Sequence, residues 1–202
     1  GSNFMPRNVT EVALERMSGK SDKVYGHTIT KVTNAQGAAL QYTINKTMMR
    51  IELPAPLKPG QQFIFKIDWN YNISDRMVYG GRGGYEFFPE DGNDIYTMTQ
   101  WFPRLCVYSD FQGWQNHQFA GSGEFALVFG NYKVSMTVPS DHVVMATGMG
   151  QNYQQILSAK EMARWKQAQT AKDVIEIVTL EEAKAKESKK STQKKTWVFK
   201  AD

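Results

Sequence analysis

The chain has 202 residues, of which 41% are hydrophobic and 12% aromatic, and its formal net charge is +4. This length and composition are typical of one globular domain and exclude an intrinsically disordered protein. The single cysteine, Cys106, excludes an internal disulfide framework and a cysteine-based zinc site. No apolar run approaches the ~18 residues that a membrane-spanning helix needs, so we expect no membrane span in this segment.

Alternation of apolar and polar residues with a period of two dominates the sequence and predicts β-strands with one buried face. The clearest runs are 61–73 and 131–138, and residues 125–129 alternate in the same way. Shorter candidate strands are 23–32, 48–53, 95–101, 142–147, 175–179 and 196–200. Turn residues separate these runs, so the sequence predicts an all-β fold, a sandwich or barrel, rather than alternating βαβ units.

One helix is predicted to interrupt the strands. Ser158 and Glu161 have the spacing of a capping box, and Met162 and Trp165 lie one turn apart, which predicts one stripe packed on a sheet. A charged segment follows, and its basic residues are Lys184, Lys186, Lys189, Lys190, Lys194 and Lys195. A nucleic-acid surface would interleave aromatic residues with such lysines. We therefore interpret the segment as a solvated loop, and nucleic-acid binding is the least favoured hypothesis.

The domain organisation follows from these patterns. Residues 1–22 show no clear period and begin with what looks like a tag remnant, so we interpret them as a poorly defined N-terminal arm. Residues 23–202 are predicted to form a single β-sandwich domain, with the helix and the lysine-rich insert spanning about 153–195.

Motifs of catalysis are missing from the sequence. The histidines are His27, His117 and His142, and they form no HExxH motif; a G-x-S-x-G motif is also absent. A thiol–imidazole pair of Cys106 and His117 is conceivable, but a buried cysteine more often acts as a small apolar residue. Four carboxylates surround one predicted hairpin: Glu86, Glu90, Asp91 and Asp94. They could serve a glycosidase or a calcium ion, although a solvated turn is the favoured interpretation.

The glycine-rich segment YGGRGGYE, residues 79–86, resembles a phosphate-binding loop in composition. Such loops bind phosphate because they open a helix, whose first amides meet the anion. This segment opens no predicted helix and leads instead toward the strand at 95–101. We therefore predict that its glycines allow positive φ angles or a close approach of backbone to another surface.

Three ordered blocks between residues 53 and 152 resemble the N-terminal domain of zinc metallopeptidases related to aminopeptidase N, the gluzincins, and in particular their bacterial branch. The blocks are LPAPLKPGQQFIFKIDWNYNISD, GGRGGYEFFPEDGNDIYTMTQWFPRLCVYSDFQGW and GEFALVFGNYKVSMTVPSDHVVMATG. They cover about half of the chain, and the closing TWVFKAD resembles the end of that domain. The resemblance implies a truncated chain, cut before a catalytic domain.

The resemblance also implies a fold, a cofactor and partners. In this family the N-terminal domain is a saddle-like antiparallel β-sandwich lying against a catalytic domain, which holds the zinc ligands and the general base. We therefore expect no cofactor in this chain, zinc in the catalytic domain of the parent protein, and no peptidase activity of this segment alone. The implied partners are that missing catalytic domain and a peptide substrate. A periplasmic or cell-envelope location is favoured over a cytoplasmic one.

The resemblance further implies a substrate-binding site. Gln100 matches the family glutamine that holds the free amino group of a peptide, and an amide oxygen can accept a hydrogen bond from an ammonium. Alternation would put Gln100 on the same strand face as Tyr96 and Met98. The alternative interpretation, weighted equally, is that Gln100 is an ordinary exposed strand residue. The family has a second polar anchor two residues further on, where this chain has Phe102, which puts strict aminopeptidase specificity in doubt.

Other residues complete the predicted site. Arg104 could bind a substrate carboxylate or form a salt bridge across the domain boundary. The loop residues Gly83, Gly84 and Tyr85 are predicted to pass close to substrate or to the neighbouring domain. The alternative function is a stand-alone β-sandwich binding module for protein or carbohydrate. Its aromatic platform would consist of Trp101, Phe102, Tyr108 and Trp114.

Overall fold

The computed structural model describes Glu11, residues 25–118 and residues 126–202, and within them the chain forms eleven β-strands and four helices. The elements up to residue 114 are β1 Thr28–Asn34, β2 Tyr42–Asn45, β3 Met48–Ile51, β4 Phe65–Asn70, α1 Arg76–Tyr79, β5 Gly84–Phe88, β6 Asn93–Thr97, β7 Tyr108–Ser109 and β8 Gly113–Trp114. The later elements are β9 Tyr132–Pro139, β10 Met149–Gly150, α2 Tyr153–Ile156, α3 Ala159–Ala168, α4 Leu180–Glu187 and β11 Lys194–Ala201.

The predicted all-β class is confirmed, with antiparallel strand pairs and a small helical part. The described residues divide into two compact units. The first unit comprises the described residues up to Glu86 and Asp94–Val128, and the second comprises Phe87–Asn93 and Phe129–Asp202. The predicted arm at 1–22 lies outside the described residues except for Glu11, and the single sandwich domain at 23–202 with its saddle-like form stays a prediction.

Two strand pairs organise the first unit. Strands β1 and β4 pair antiparallel, with an irregularity between Ile29 and Lys31, and their register places Val32 opposite Ile67. Val32 and Leu40 are buried, and the Leu40 amide donates to the Val32 carbonyl over 3.0 Å. These two buried side chains form the small apolar core of the described part of the unit.

The β2–β3 hairpin is the second of these pairs, and a distant side chain fastens its turn. The Gln118 Oε1 accepts hydrogen bonds from the Thr47 amide and hydroxyl over 3.2 and 2.6 Å, and Gln118 Nε2 donates to the Asn45 carbonyl over 2.8 Å. A residue about seventy positions away thus satisfies backbone groups that the turn leaves unpaired.

The second unit is a three-stranded antiparallel sheet in the order β10-β11-β9, with helical turns packed on its central strand. The buried residues of β11 are Trp197 and Phe199. The Tyr153 ring meets the edges of both, at 6.3 and 6.4 Å, and Trp165 of α3 contacts Tyr153 at 5.4 Å. The core is therefore an aromatic cluster between the sheet and the first two helices of the unit.

Local sequence signals account for the first long helix. The Ser158 hydroxyl accepts from the Glu161 amide, and the Glu161 carboxylate accepts from the Ser158 amide, so the predicted capping box is confirmed. The Trp165 contact with Tyr153 also confirms that the apolar stripe of the helix faces the sheet side.

Three predicted strands are wrong. Residues 142–147 and 175–179 form no strand, and around residue 127 only an isolated bridge between Cys106 and Leu127 occurs; Phe125 lies outside the described residues. In the 175–179 segment the Ile177 carbonyl accepts from Arg164 over 2.6 Å instead of from a neighbouring strand. Period-two apolar residues favour a strand, but a strand also needs a partner edge, and that is a tertiary property.

The solvated-loop interpretation of the lysine-rich segment also requires correction. Its first half is the helix α4, and a second capping box, of Thr179 and Glu182, begins it. Lys186 pairs with Glu161, Lys190 donates to the Gly92 carbonyl, and Lys195 lies 4.9 Å from the Trp197 ring centroid. Half of the six lysines thus take part in the packing of the second unit.

Candidate functional site

The glycine-rich segment ends a helix rather than opening one. Asp75 caps the single turn α1, with its carboxylate accepting from the Met77 amide over 2.8 Å, and the Gly80 amide closes the turn on the Arg76 carbonyl over 2.8 Å. Positive φ angles of 68°, 94° and 141° occur at Gly80, Gly81 and Gly84. The prediction that these glycines serve backbone conformation is confirmed, and the segment then enters β5.

The close approach at Gly84 is made to the chain itself. A Cβ atom at this position would lie 2.5 Å from the Ser74 carbonyl oxygen, and the next amide, of Tyr85, donates to that same oxygen over 2.9 Å. An ion pair between Arg76 and Glu86 closes the same contact. The close approach of the Ser74 carbonyl therefore requires glycine at position 84, independently of any substrate.

Gly83 and Tyr85 connect this loop to the segment that precedes Gln100. A Cβ atom at Gly83 would lie 3.0 Å from the Thr99 hydroxyl and 3.2 Å from the Thr97 carbonyl. The Tyr85 ring centroid lies 6.4 Å from that of Tyr96 on β6. The structure thus brings the predicted loop residues next to the chain that leads into Gln100.

Gln100 does not lie on a strand, which corrects the predicted alternation with Tyr96 and Met98. Strand β6 ends at Thr97, and Gln100 has a φ of 50° in a bend. A left-handed backbone is uncommon for a residue with a Cβ atom, and such outliers cluster at sites of function. Its side chain is exposed.

The residues after Gln100 are anchored by aromatic rings. His27 Nε2 donates to the Trp101 carbonyl over 2.9 Å, and the His27 ring lies 5.1 Å from the ring of Tyr71. The Trp101 ring lies 6.4 Å from that of Trp69 on β4. The sequence carries no local signal for this positioning role of His27, since the two residues lie 74 positions apart.

The side chains of Phe102 and Arg104 contact each other. The Phe102 ring meets Trp101 edge to face at 5.0 Å, and the Arg104 guanidinium carbon lies 5.3 Å from the centroid of the Phe102 ring. A cation over an aromatic face contributes about 0.5–1 kcal/mol at exposed sites. Where a second polar anchor was expected, the chain therefore presents an aromatic surface that holds an exposed guanidinium.

Two of the four residues of the alternative aromatic platform form an exposed pair. Tyr108 and Trp114 lie opposite each other on β7 and β8 with ring centroids 5.3 Å apart, and they are 63% and 54% exposed. Large apolar side chains on both faces of β6, Ile95 and Tyr96, are exposed as well. An exposed aromatic pair such as Tyr108 and Trp114 is typical of a surface that contacts a partner.

Cys106 and the hairpin carboxylate Asp91, which the sequence offered for catalysis or metal binding, make structural contacts. The Cys106 Sγ lies 3.9 Å from the Met48 Sδ, which agrees with a small apolar role rather than with a pair to His117. Asp91 accepts from the Asn93 amide over 3.0 Å, as expected of a turn residue. Within the described part of the chain, no group of three or more histidine, cysteine or carboxylate side chains could hold a metal ion.

No protein-family profile matches the chain, and neither a curated protein nor a solved structure does so. The fold and site define an all-β protein with a small helical part and a partly exposed aromatic surface beside Gln100. None of the helices in residues 25–118 and 126–202 is long and apolar enough to cross a membrane.

The strained backbone at Gln100 leads to a first prediction. Glycine adopts a positive φ without the cost of about 1–2 kcal/mol that a Cβ atom incurs, although it loses more entropy on folding. Gln100→Gly should therefore leave the free energy of unfolding unchanged or raise it by up to about 1 kcal/mol in urea denaturation. Lys46→Gly, at a φ of 56°, is the matched control and should behave alike. A loss of stability in Gln100→Gly alone would mean that the side chain supports the fold.

Proposed function

We propose that this chain is a non-catalytic N-terminal domain of a zinc-dependent peptidase, in which it shapes the substrate cleft and contacts the amino terminus of the peptide. The observation that carries the proposal is Gln100. The residue that the resemblance assigns to the peptide ammonium is exposed and lies in a left-handed bend three residues after the end of β6. That conformation costs free energy, and a binding role is a reason to retain it.

The surroundings of Gln100 support the same role. The hydrogen bond from His27 to the Trp101 carbonyl, together with the Trp69–Trp101 contact, limits movement of the backbone that follows it. A backbone held in this way reduces the entropy lost when the Gln100 side chain binds a ligand. The exposed apolar residues of β6 offer a surface that a second domain can cover.

The gene provides the first test of the proposal. The reading frame is expected to continue beyond Asp202 into a helix with an HExxH motif, followed by a further glutamate ligand, because the zinc site must lie outside this chain. A reading frame that stops near residue 202 would contradict the proposal and favour a stand-alone binding module.

The second test is kinetic. In the full-length protein, Gln100→Ala should lower kcat/KM for peptides with a free amino terminus by about 10- to 100-fold, since a hydrogen bond to a charged group contributes about 1.5–3 kcal/mol. Hydrolysis of N-acetylated peptides should be unaffected. Gln36→Ala, at an exposed glutamine in the turn after β1, is the matched control and should leave both rates unchanged. Equal losses on acetylated and free peptides would exclude the ammonium contact.

The exposed Tyr108–Trp114 pair favours a second candidate, a stand-alone binding module for protein or carbohydrate. Aromatic rings at the surface supply contact area at a low entropic cost. This function predicts saturable binding of an oligosaccharide or protein ligand by the 202-residue chain. Trp114→Ala should abolish that binding, whereas Gln100→Ala should not affect it.

A further inference from the structure

The two longer helices of the second unit begin in the same way. Each has a capping box in which a glutamate three residues after the cap accepts from the cap amide: Glu161 from Ser158 over 2.7 Å, and Glu182 from Thr179 over 3.0 Å. A carboxylate at a helix N-terminus also interacts favourably with the helix dipole. These contacts are local, because each joins residues three positions apart in one helix.

The same two carboxylates also join the helices to each other. Glu161 on α3 accepts from the Lys186 ammonium of α4 over 2.5 Å. Glu182 on α4 accepts from both terminal nitrogens of Arg164 on α3, over 2.5 and 2.7 Å. Each helix thus supplies a capping carboxylate to a cation of the other helix. We call these two contacts the reciprocal clamp.

Apolar packing contributes little to the position of α4. Its residues include no buried one, and the large side chain Leu180 is exposed. The helix α3 differs, because Trp165 reaches the aromatic cluster through Tyr153. The attachment of α4 to α3 is therefore mainly electrostatic, and partly exposed ion pairs weaken as salt screens them.

The ends of the segment are fastened separately. The Ser191 amide donates to the Asp141 carboxylate over 2.7 Å, and the hydroxyls of Ser140 and Ser191 lie 2.6 Å apart. On the other side, the amides of Thr170 and Ala171 donate to the Gln167 carbonyl of α3 over 3.2 and 3.1 Å. Residues 172–189 lie between these two points, and the reciprocal clamp and the hydrogen bond from Arg164 to the Ile177 carbonyl join them to α3. When these contacts break, the segment can leave α3 while both of its ends stay attached.

We propose that residues 172–189 form a strap that salt or acid releases from α3 while the three-stranded sheet stays folded. The glutamate that the strap covers is only 4% exposed, and it loses its cation when the clamp opens. An unpaired buried carboxylate is costly, so opening also requires water to reach Glu161. The released strap presents the Lys186 amine to solvent.

Acid is expected to open the reciprocal clamp, because it protonates the two glutamates. The hydrogen bonds from Arg164 lower the pKa of Glu182 to about 2, from an ordinary value of 4.5. Burial would raise the pKa of Glu161, but hydrogen bonds from Lys186 and Ser158 outweigh it and leave that pKa lowered. The pKa values of both glutamates are lowered in the folded chain. The clamp is therefore intact above about pH 4.5 and is lost as pH falls toward about 2.

Other charged groups face the clamp. Glu176 interacts favourably with Arg164, and Lys195 lies near both Lys186 and Glu161. Burial lowers the pKa of Lys195, and repulsion from Lys186 adds to this effect. Attraction from the Asp141 carboxylate raises the pKa of Lys195 and so opposes these two effects. Arginine and lysine stay charged in acid, so the two clamp glutamates are the groups that set the transition.

Amide hydrogen exchange of the whole 202-residue chain tests the strap. Raising NaCl from about 0.05 M to about 1 M shortens the Debye length to about 3 Å. The amides of α4 should then exchange about tenfold faster or more, while those of β11 stay unchanged. Acylation of Lys186 by a small amine-reactive reagent should rise in parallel, and acylation of Lys184, which is exposed on the same helix, should not change.

Variants separate the clamp from a general loss of stability. Lys186→Gln removes one cation of the clamp and leaves both capping boxes intact, so it should accelerate exchange in α4 at low salt. The double variant Arg164→Gln, Lys186→Gln should exchange fast at both salt concentrations. Lys184→Gln is the neutral control. Equal protection of α4 at both salt concentrations would overturn the proposal, and so would α4 and β11 amides that exchange together, since the strap would then not open by itself.

Discussion

Replacement of Phe199 by alanine is expected to lower the free energy of unfolding of the second unit by about 3–5 kcal/mol, the usual cost of removing a buried aromatic side chain. Phe199 is only 2% exposed, stacks on Trp197 at 6.5 Å and meets the Tyr153 ring edge to face. The other buried residues of the unit are Trp197 and Glu161, so few neighbouring side chains can repack into the cavity. Urea denaturation followed by tryptophan fluorescence measures the loss.

The matched control is Phe129→Ala in the same unit. Phe129 is fully exposed, and surface substitutions usually change stability by less than about 0.5 kcal/mol. Similar losses in both variants would mean that the aromatic cluster of Tyr153, Trp197 and Phe199 is not the core of this unit.

Gly84→Ala is expected to have the second large effect, about 2–4 kcal/mol of lost stability, from a strained φ and a steric collision. The φ of 141° is accessible mainly to glycine, and the new Cβ atom would lie 2.5 Å from the Ser74 carbonyl oxygen. Because that oxygen is backbone, it can move only if the hydrogen bond to Tyr85 breaks. Thermal and urea unfolding of the purified variant check the prediction.

Two other glycines separate the two causes of this loss, backbone strain at a positive φ and the steric collision. Gly81→Ala has a positive φ of 94° with open space around the new atom, so it should cost only about 1 kcal/mol of backbone strain. Gly130→Ala has neither constraint and should be close to neutral. If Gly84→Ala proved no worse than Gly81→Ala, the close approach to Ser74 would contribute nothing.

Much of the fold could be predicted wherever the signal is local. The alternation at 131–138 predicted β9, and the capping box of Ser158 and Glu161 predicted the start of α3. The absence of a helix after the glycine-rich segment was also predictable, because helix starts have their own residue preferences. The same signal, read at Thr179 and Glu182, would have revealed α4.

The candidate site was less predictable. The strand reading of 95–101 placed Gln100 in an alternating pattern, whereas the bend with its positive φ breaks that pattern. The His27 hydrogen bond to Trp101 joins residues 74 positions apart, and no local pattern encodes such a contact. The position of Phe102 relative to Arg104 likewise depends on how the aromatic rings pack.

The sequence by itself determined the all-β class and the capped start of α3, because alternation and capping depend on residues that are neighbours along the chain. The tertiary structure alone decided that 175–179 is not a strand and that half of the lysines are engaged. Both depend on a partner that is distant in sequence: Arg164 for the Ile177 carbonyl, and Glu161 for Lys186. A pattern along the chain records which residues prefer burial or pairing, and only the folded chain determines with which partner they pair.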